Sequence, residues 1–194
     1  MKNKGLWIGL AVVAVLVAWC IGAYNGLVQS QENVTKAWAQ VENVYQRRAD
    51  LIPNLVNTVK GYANHESSTL EAVVEARAKA TQTNIDPSKM TAEQLKEFQA
   101  NQDALGSAIG RLLMVHEAYP ELKANENFLS LQAQLEGTEN RITEERRKYN
   151  EAAQTYNVNR RKFPKNIIAN MFGFGEKPYF TAKEGTDVAP TVEF

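Results

Sequence analysis

The sequence has little of what catalytic and disulfide-stabilised proteins usually depend on. It contains one cysteine, Cys20, which excludes an internal disulfide framework and a cysteine-based metal cluster. Its 22 basic and 22 acidic side chains leave no formal net charge, so the Lys and Arg excess that nucleic-acid binding requires is missing. Eleven glycines and six prolines in 194 residues are too few for a loop-rich or all-β protein. The composition therefore favours an all-α protein with one domain and an appendage.

Sequence motifs for catalysis are missing as well. There is no phosphate-binding GxxxxGK loop, no GxGxxG fingerprint and no GxSxG nucleophile elbow. The two histidines occur in the pairs His65-Glu66 and His116-Glu117, and neither pair continues to the HExxH pattern of a zinc protease. We therefore predict no enzymatic activity, no catalytic residue, no metal site and no cofactor. A metal-dependent hydrolase that uses both histidines is the minor alternative.

The one long hydrophobic run lies at the amino terminus. Residues 5–23 carry no charged side chain, and as a helix they span about 28 Å, close to the ~30 Å hydrocarbon core of a bilayer. Trp7, Trp19 and Tyr24 lie near its two ends, where amphipathic rings favour the headgroup level. We therefore predict an uncleaved membrane anchor over residues 1–28.

Two processed forms of this run are alternatives to the anchor. A cleaved signal peptide needs small residues before the cut, but Ile21 is bulky at the third position before the candidate site. A lipoprotein needs a small residue before its modified cysteine, but Trp19 precedes Cys20. Both features favour the uncleaved anchor.

The distribution of basic residues predicts the orientation of this anchor. Lys2, Lys4 and the α-amine precede the run, whereas Lys36 is the one basic residue shortly after it. Because the flank with more positive charge stays in the cytoplasm, we expect the rest of the chain on the far, extracytoplasmic face of the membrane. The cytoplasmic side is the alternative.

Beyond residue 28, apolar residues recur at three- and four-residue steps, which predicts long amphipathic helices. The clearest repeat is spaced by seven: Phe128, Leu135, Ile142, Tyr149, Tyr156 and Phe163. Polar breaks and prolines divide the pattern into helices near 29–64, 68–82, 91–118 and 125–163. These lengths predict an antiparallel up-and-down four-helix bundle over residues 29–165. The alternative is a three-helix coiled coil in which the first two segments are one helix.

Pro53 lies inside the first of these helices. An interior proline removes one backbone hydrogen bond and clashes with the preceding turn, at a cost of ~3 kcal/mol. We expect a kink there, with Asp50 and Asn54 bonding the backbone groups that the kink frees. This costly segment is the first place to look for function.

Polar side chains border the hydrophobic seam of the first and fourth predicted helices. Their complementary charges predict a polar layer that either selects one helix packing or recognises a partner. Two of them, Asn150 and Asn157, repeat the seven-residue spacing and are expected to bond across the bundle or to line a groove. The full set is Arg47, Arg48, Asp50, Pro53, Asn54, Glu139, Asn140, Arg141, Arg146, Asn150 and Asn157.

Residues 166–194 form a predicted tail in two parts. The first part is dense in apolar residues as far as Phe180 and is interrupted by glycine and proline. We expect this part to fold back onto the bundle, with contact to the membrane surface or to a partner as the alternative. The second part, from Thr181 onward, lacks periodicity and is expected to be flexible.

Distinctive motifs run through nearly the whole chain. They are YNGLV (24–28), AWAQVENVYQRRADLIPNLV (37–56), YPEL (119–122), LEGTENRI (135–142), RRKYNEAAQTYN (146–157) and FPKN (163–166). Together these motifs resemble the LemA family of bacterial membrane-anchored proteins. The resemblance implies a single amino-terminal membrane helix followed by an all-helical bundle, and no established enzymatic activity.

These features lead to one main hypothesis about function. The chain is expected to be a non-enzymatic scaffold or adaptor of the bacterial cell envelope that contacts other envelope membrane proteins. The alternative is a self-assembling homo-oligomer, because Gly5 with Gly9, and Gly22 with Gly26, have the GxxxG spacing that lets membrane helices approach closely.

Overall fold

The computed structural model describes residues 3–63, 65–82 and 85–181, which are mostly helical and contain no strand. The helical elements of these residues are α1 (Asn3–Lys60), α2 (Ser67–Gln82), α3 (Ala92–Met114), a 3₁₀ turn (Val115–Glu117), α4 (Pro120–Lys123), α5 (Glu126–Arg161) and α6 (Lys165–Met171). The prediction of an all-α chain is confirmed. The predicted flexible end, beyond Thr181, lies outside the described residues.

Helix α1 carries both the apolar run and the first helix of the bundle without a break. It is 58 residues long, which corresponds to about 87 Å. Within the described ranges it is the one helix long and apolar enough to cross a membrane. Large apolar side chains from Leu6 to Ile21 are exposed, as lipid contact requires, whereas the buried positions of α1 begin at Ala23.

Helix α5 packs along α1 in the opposite direction. Trp38 of α1 meets Tyr149 of α5, with ring centroids 5.6 Å apart. Farther along α1, Arg48 meets Glu139, which lies earlier in α5. The heptad repeat of the sequence therefore faces α1 over most of its length, and five of its six members are buried.

Helices α2 and α3 form the other side of the bundle. Residues 61–66 separate α2 from α1, so the alternative in which these two segments form one helix is wrong. Helix α3 runs parallel to α1, because Phe98 packs on Trp38 and Gln102, one turn later, bonds Arg48. The predicted helix over 91–118 ends at Met114 and tightens into the 3₁₀ turn.

Two large apolar clusters lie one after the other along the bundle, and a third, smaller one lies between α1 and α6. The cluster nearer the apolar run includes Val34, Trp38, Phe98, Tyr149 and Tyr156. The cluster nearer the opposite end includes Ile52, Leu55, Val73, Leu112 and Phe128. The polar residues described in the next subsection lie between the two clusters.

The interior proline is accommodated through a neighbouring helix. Pro53 has no N–H to donate, so the carbonyl of Ala49 loses its helical partner. The Nε of Arg77, on α2, donates to that oxygen at 2.8 Å. The expectation that Asp50 and Asn54 bond the freed backbone groups is wrong for the carbonyl of Ala49, because its donor is Arg77. The Asp50 carboxylate accepts a bond from Gln46 instead.

The first prediction concerns this substitute bond. Replacing Arg77 with Ala leaves a helix carbonyl without its partner, and we expect the free energy of unfolding of the detergent-solubilised chain to fall by about 1–3 kcal/mol. In the background of Pro53→Ala, whose new N–H can bond Ala49, the same replacement should cost clearly less. Chemical unfolding of the four variants measures this difference.

The control for this cycle is Arg111→Ala, on an exposed position of α3. It should change stability little in either background. Equal costs of Arg77→Ala with and without Pro53 would show that the bond to Ala49 does not compensate for the proline.

Candidate functional site: the polar layer and the tail groove

A buried arginine is the centre of the polar layer. Arg48 of α1 is 3% exposed. Its Nη1 donates to Glu139 Oε1 at 2.8 Å, and its Nη2 donates to the backbone oxygen and to Oε1 of Gln102, at 2.9 and 2.6 Å. The guanidinium also lies 5.1 Å from the ring centroid of Tyr45. A buried charge needs this many partners, because its transfer from water is otherwise very unfavourable.

The layer connects four helices. Gln102 of α3 accepts from Arg48 and donates through Nε2 to the backbone oxygen of Ala80, on α2, at 3.0 Å. Glu139 adds α5, and its side chain is about half exposed, so the negative end of the ion pair reaches solvent. The network lies across the bundle between the two apolar clusters.

The structure brings together only part of the residue set that the sequence predicted for this layer. Arg48 and Glu139 meet as expected, and Gln102 joins them although it was absent from that set. Its signal in the sequence was a polar residue inside an otherwise apolar stripe. Six members of the set are exposed and lie outside the layer: Arg47, Asp50, Pro53, Asn54, Asn140 and Arg141.

The remaining predicted residues bind the chain's own tail. Asn157 of α5 pairs with the backbone of Lys177 in both directions: its Nδ2 donates to the carbonyl at 2.8 Å, and its Oδ1 accepts from the N–H at 2.9 Å. Asn150 pairs in the same way with Phe180, at 3.0 and 2.9 Å. Arg146 donates to the carbonyl of Thr181 at 3.1 Å.

The spacing of the two asparagines matches an extended chain. Seven residues of an α-helix advance about 10.5 Å. Three residues of extended backbone, from Lys177 to Phe180, advance about 10 Å. Asn150 and Asn157 therefore hold a tail that runs antiparallel to α5, and the prediction that its apolar part folds back onto the bundle agrees with this arrangement.

The tail fills a groove between α5 and the connection from α2 to α3, which we call the tail groove. Phe180 stacks on Trp38, with centroids 6.0 Å apart, and the guanidinium of Arg146 lies 4.7 Å from the Phe180 ring. Lys177 is buried, and its Nζ donates to the carbonyls of Pro87 and Ser88, at 2.9 and 2.6 Å. The tail is therefore part of the core.

Burial shifts the titration of the groups that hold the tail. It raises the pKa of Tyr149 and of Tyr156, so both phenols are protonated donors at neutral pH. These hydroxyls donate to the carbonyls of Pro178 and Gly175, at 3.1 and 2.9 Å. Burial also lowers the pKa of Lys177, and the nearby Asp86 carboxylate opposes that shift.

The histidines lie away from this groove. His65 is exposed in the turn after α1, and His116 lies in the 3₁₀ turn with its ring 5.6 Å from that of Phe128. Among the described residues, no three His, Cys, Asp or Glu side chains are grouped as a metal ion would require. The geometry therefore adds nothing in favour of the hydrolase alternative.

Comparison with known proteins identifies the family. The family model described as the LemA family matches residues 37–194, most of the chain. The chain belongs to the LemA family. The resemblance seen in the sequence motifs is thereby confirmed. The matched region starts inside α1 and includes both the polar layer and the tail groove.

This LemA-family chain is also similar to three individual proteins. It is 29% identical to magnetosome protein MamQ 2 of Paramagnetospirillum magneticum, over 92% of this chain and 71% of that protein. It is 26% identical to magnetosome protein MamQ of Magnetospirillum gryphiswaldense, over 94% and 73%. It is 27% identical to protein LemA of Metamycoplasma hominis, over 84% and 71%. None of these names states an enzymatic activity.

The second prediction tests how the tail of this LemA-family chain is held. Asn157→Ala removes both partners of the Lys177 backbone, and we expect a loss of about 2 kcal/mol in the free energy of unfolding because buried backbone groups are left unbonded. Hydrogen exchange, followed by mass spectrometry of the peptide over residues 175–181, should become faster.

Asn140→Ala is the matched control, because Asn140 is an exposed asparagine on the same helix. It should leave the exchange of that peptide unchanged. Slow exchange that persists in Asn157→Ala would show that the apolar contacts of Phe180 hold the tail without the amide pair.

Proposed function

We propose that this chain is a membrane-anchored, non-enzymatic helical scaffold or adaptor of the bacterial cell envelope that acts through protein–protein interaction. Its anchor lies in the inner membrane, and its bundle lies on the extracytoplasmic side, as the charges of Lys2 and Lys4 favour. The observation that carries the proposal is the unbroken α1, which joins a lipid-exposed segment to a packed bundle. The match to the LemA family and the similarity to the MamQ proteins support it.

The surface best suited to a partner is a cleft between α1 and α2, which we call the distal cleft. Its volume is about 510 Å³. Its apolar lining is Val56, Leu70, Val74 and Ala78, and its polar lining includes Lys60, Glu71 and Glu75. Val56 is 33 residues beyond Ala23 on the same helix, so the cleft lies about 50 Å from the end of the apolar run.

The chemistry of the distal cleft indicates the kind of partner. Val74 is a large apolar residue that is 53% exposed on α2, and Glu71 and Glu75 flank it. An amphipathic helix docks in such a groove by placing its apolar face on the floor. Glu75 is paired with Lys79 at 2.8 Å, so Glu71 is the lining carboxylate that a basic side chain of the partner would meet. The proposed partner is therefore an envelope membrane protein that presents an apolar helix face with a basic side chain beside it.

The third prediction uses a photo-crosslinking amino acid at two equally exposed positions of the full-length chain. We expect a crosslink to a different envelope protein from position 74 and none from position 129 on α5, where Leu129 is 50% exposed. Adding Ala78→Arg places a bulky charge in the cleft and should remove the product. Gel analysis of crosslinked membranes measures both outcomes.

Circular dichroism of the Ala78→Arg chain checks that its helices are intact. Ala78 is exposed, so this change leaves the buried core untouched. A product of equal yield from positions 74 and 129, or one that Ala78→Arg does not reduce, would show that the distal cleft is not the docking surface.

Self-assembly through the anchor is the second candidate. A Cβ built on Gly5, Gly9 or Gly22 meets no atom within 4 Å, so these glycines leave a surface of the anchor open to a second helix. Small residues four apart allow such helices to approach closely.

The fourth prediction tests this candidate directly. If the anchor drives assembly, Gly5→Leu combined with Gly9→Leu should shift the detergent-solubilised protein from oligomer to monomer, because the larger side chains block close approach. Val13→Leu, also in the apolar run, should not. Native mass spectrometry measures the masses, and a chain that is monomeric before any substitution contradicts self-assembly.

A further inference from the structure

The segment after α5 contacts α1 at the end of the apolar run. Ile168 and Ala169 of α6 form a small buried cluster with Ala23 and Leu27 of α1, and Cys20 packs against it. The sequence has no charged residue between Lys4 and Glu32, so this contact lies at the carboxyl end of the uncharged run. If α1 spans a bilayer, α6 is therefore held beside the bilayer surface.

Aromatic rings gather at the same level. Tyr24 of α1 lies edge-on to Phe172 and Phe174, with ring centroids 5.0 and 5.6 Å apart. Tyrosine at the end of a membrane helix favours the headgroup region, where the ring is apolar and the hydroxyl is solvated. Its two ring partners are placed at that depth by direct contact.

The rest of this segment exposes large apolar side chains. Phe163 is 81% exposed and Met171 is 66% exposed, and Ile167 and Phe172 are also mostly exposed. Ile167 and Met171 lie one helical turn apart, so they share a face. These four residues lie within ten positions, and such a concentration of exposed apolar surface is unfavourable in contact with water.

The local charge suits an anionic surface. Residues 158–175 contain four basic side chains and no acidic one, in a chain that is neutral overall. The side chain of Lys165 reaches α1 near the end of the apolar run, because the Nζ of Lys165 would lie 3.8 Å from a Cβ built on Gly26. Basic side chains around an apolar patch are the pattern of a segment that lies in the interface of a membrane with anionic lipids.

We propose that residues 163–172 form a membrane foot, which lies in the headgroup region of the same bilayer that α1 spans. The occupant of the exposed apolar patch is therefore lipid. This inference rests on the membrane anchoring in the proposed function, but not on any protein partner. A bundle held by both α1 and the foot has two attachments to the bilayer, so its tilt is restricted.

The experiment measures the depth of single spin labels on the full-length chain in nanodiscs that contain phosphatidylglycerol. In a Cys20→Ala background, a nitroxide is attached at Met171→Cys, at Met114→Cys or at Val13→Cys. Met114 is the matched control, because it is 63% exposed and lies on α3. Oxygen partitions into lipid and a neutral nickel chelate into water, so the ratio of their collision rates with the label reports its depth.

We expect the oxygen-to-nickel ratio at position 171 to be several-fold higher than at position 114 and lower than at position 13, because the foot lies at headgroup level whereas position 13 lies near the middle of the apolar run. A ratio at 171 equal to that at 114, with 13 in lipid, would overturn the membrane foot alone. Shielding of 171 from both reagents would overturn it in favour of a protein contact with a second copy of the chain. An aqueous label at 13 would overturn the anchor and, with it, the proposed function.

Discussion

One helix carries both the exposed apolar run and the first helix of the bundle, and the other surfaces take their positions from it. In hydrocarbon a chain must satisfy its own backbone hydrogen bonds, and a continuous helix does so without a break. The bonding pattern of α1 is interrupted at Pro53, beyond the apolar run, where Arg77 of α2 supplies a donor to Ala49. Because α1 does not turn where the apolar run ends, the distal cleft and α6 are held about 50 Å apart along it.

The interior of the bundle contains the buried charge of Arg48, which requires hydrogen-bond and ion-pair partners. Arg48 is buried between two apolar clusters, and any shift of α1 by one residue would separate it from Gln102 and Glu139. We infer that the layer selects one register among helices whose apolar stripes would otherwise pack in several ways. Both terminal nitrogens of Arg48 are bonded within the layer, and its buried Nε has no hydrogen-bond partner among the described residues.

The polar residues along α5 hold the chain's own carboxyl-terminal tail. Asn150 and Asn157 do not bond to another helix, and they do not line an open groove. They bond the backbone of the chain's own carboxyl-terminal segment, so side-chain sequence in the tail matters less for these bonds than its extended conformation. Phe180 and Lys177 then add the contacts to Trp38 and to the α2–α3 connection.

The sequence by itself determined the helical class, the apolar run and the faces that become core, because periodicity is a local property of a chain. It also singled out Arg48, Glu139 and Asn157 as seam residues, but not all their partners. Tertiary structure alone decided that Gln102 completes the layer, that Arg77 bonds Ala49 and that α6 lies beside Cys20. The first two contacts join residues 54 and 28 positions apart, and α6 begins at Lys165, far along the chain from Cys20. The register that brings these residues together is set by the packing of all the helices at once.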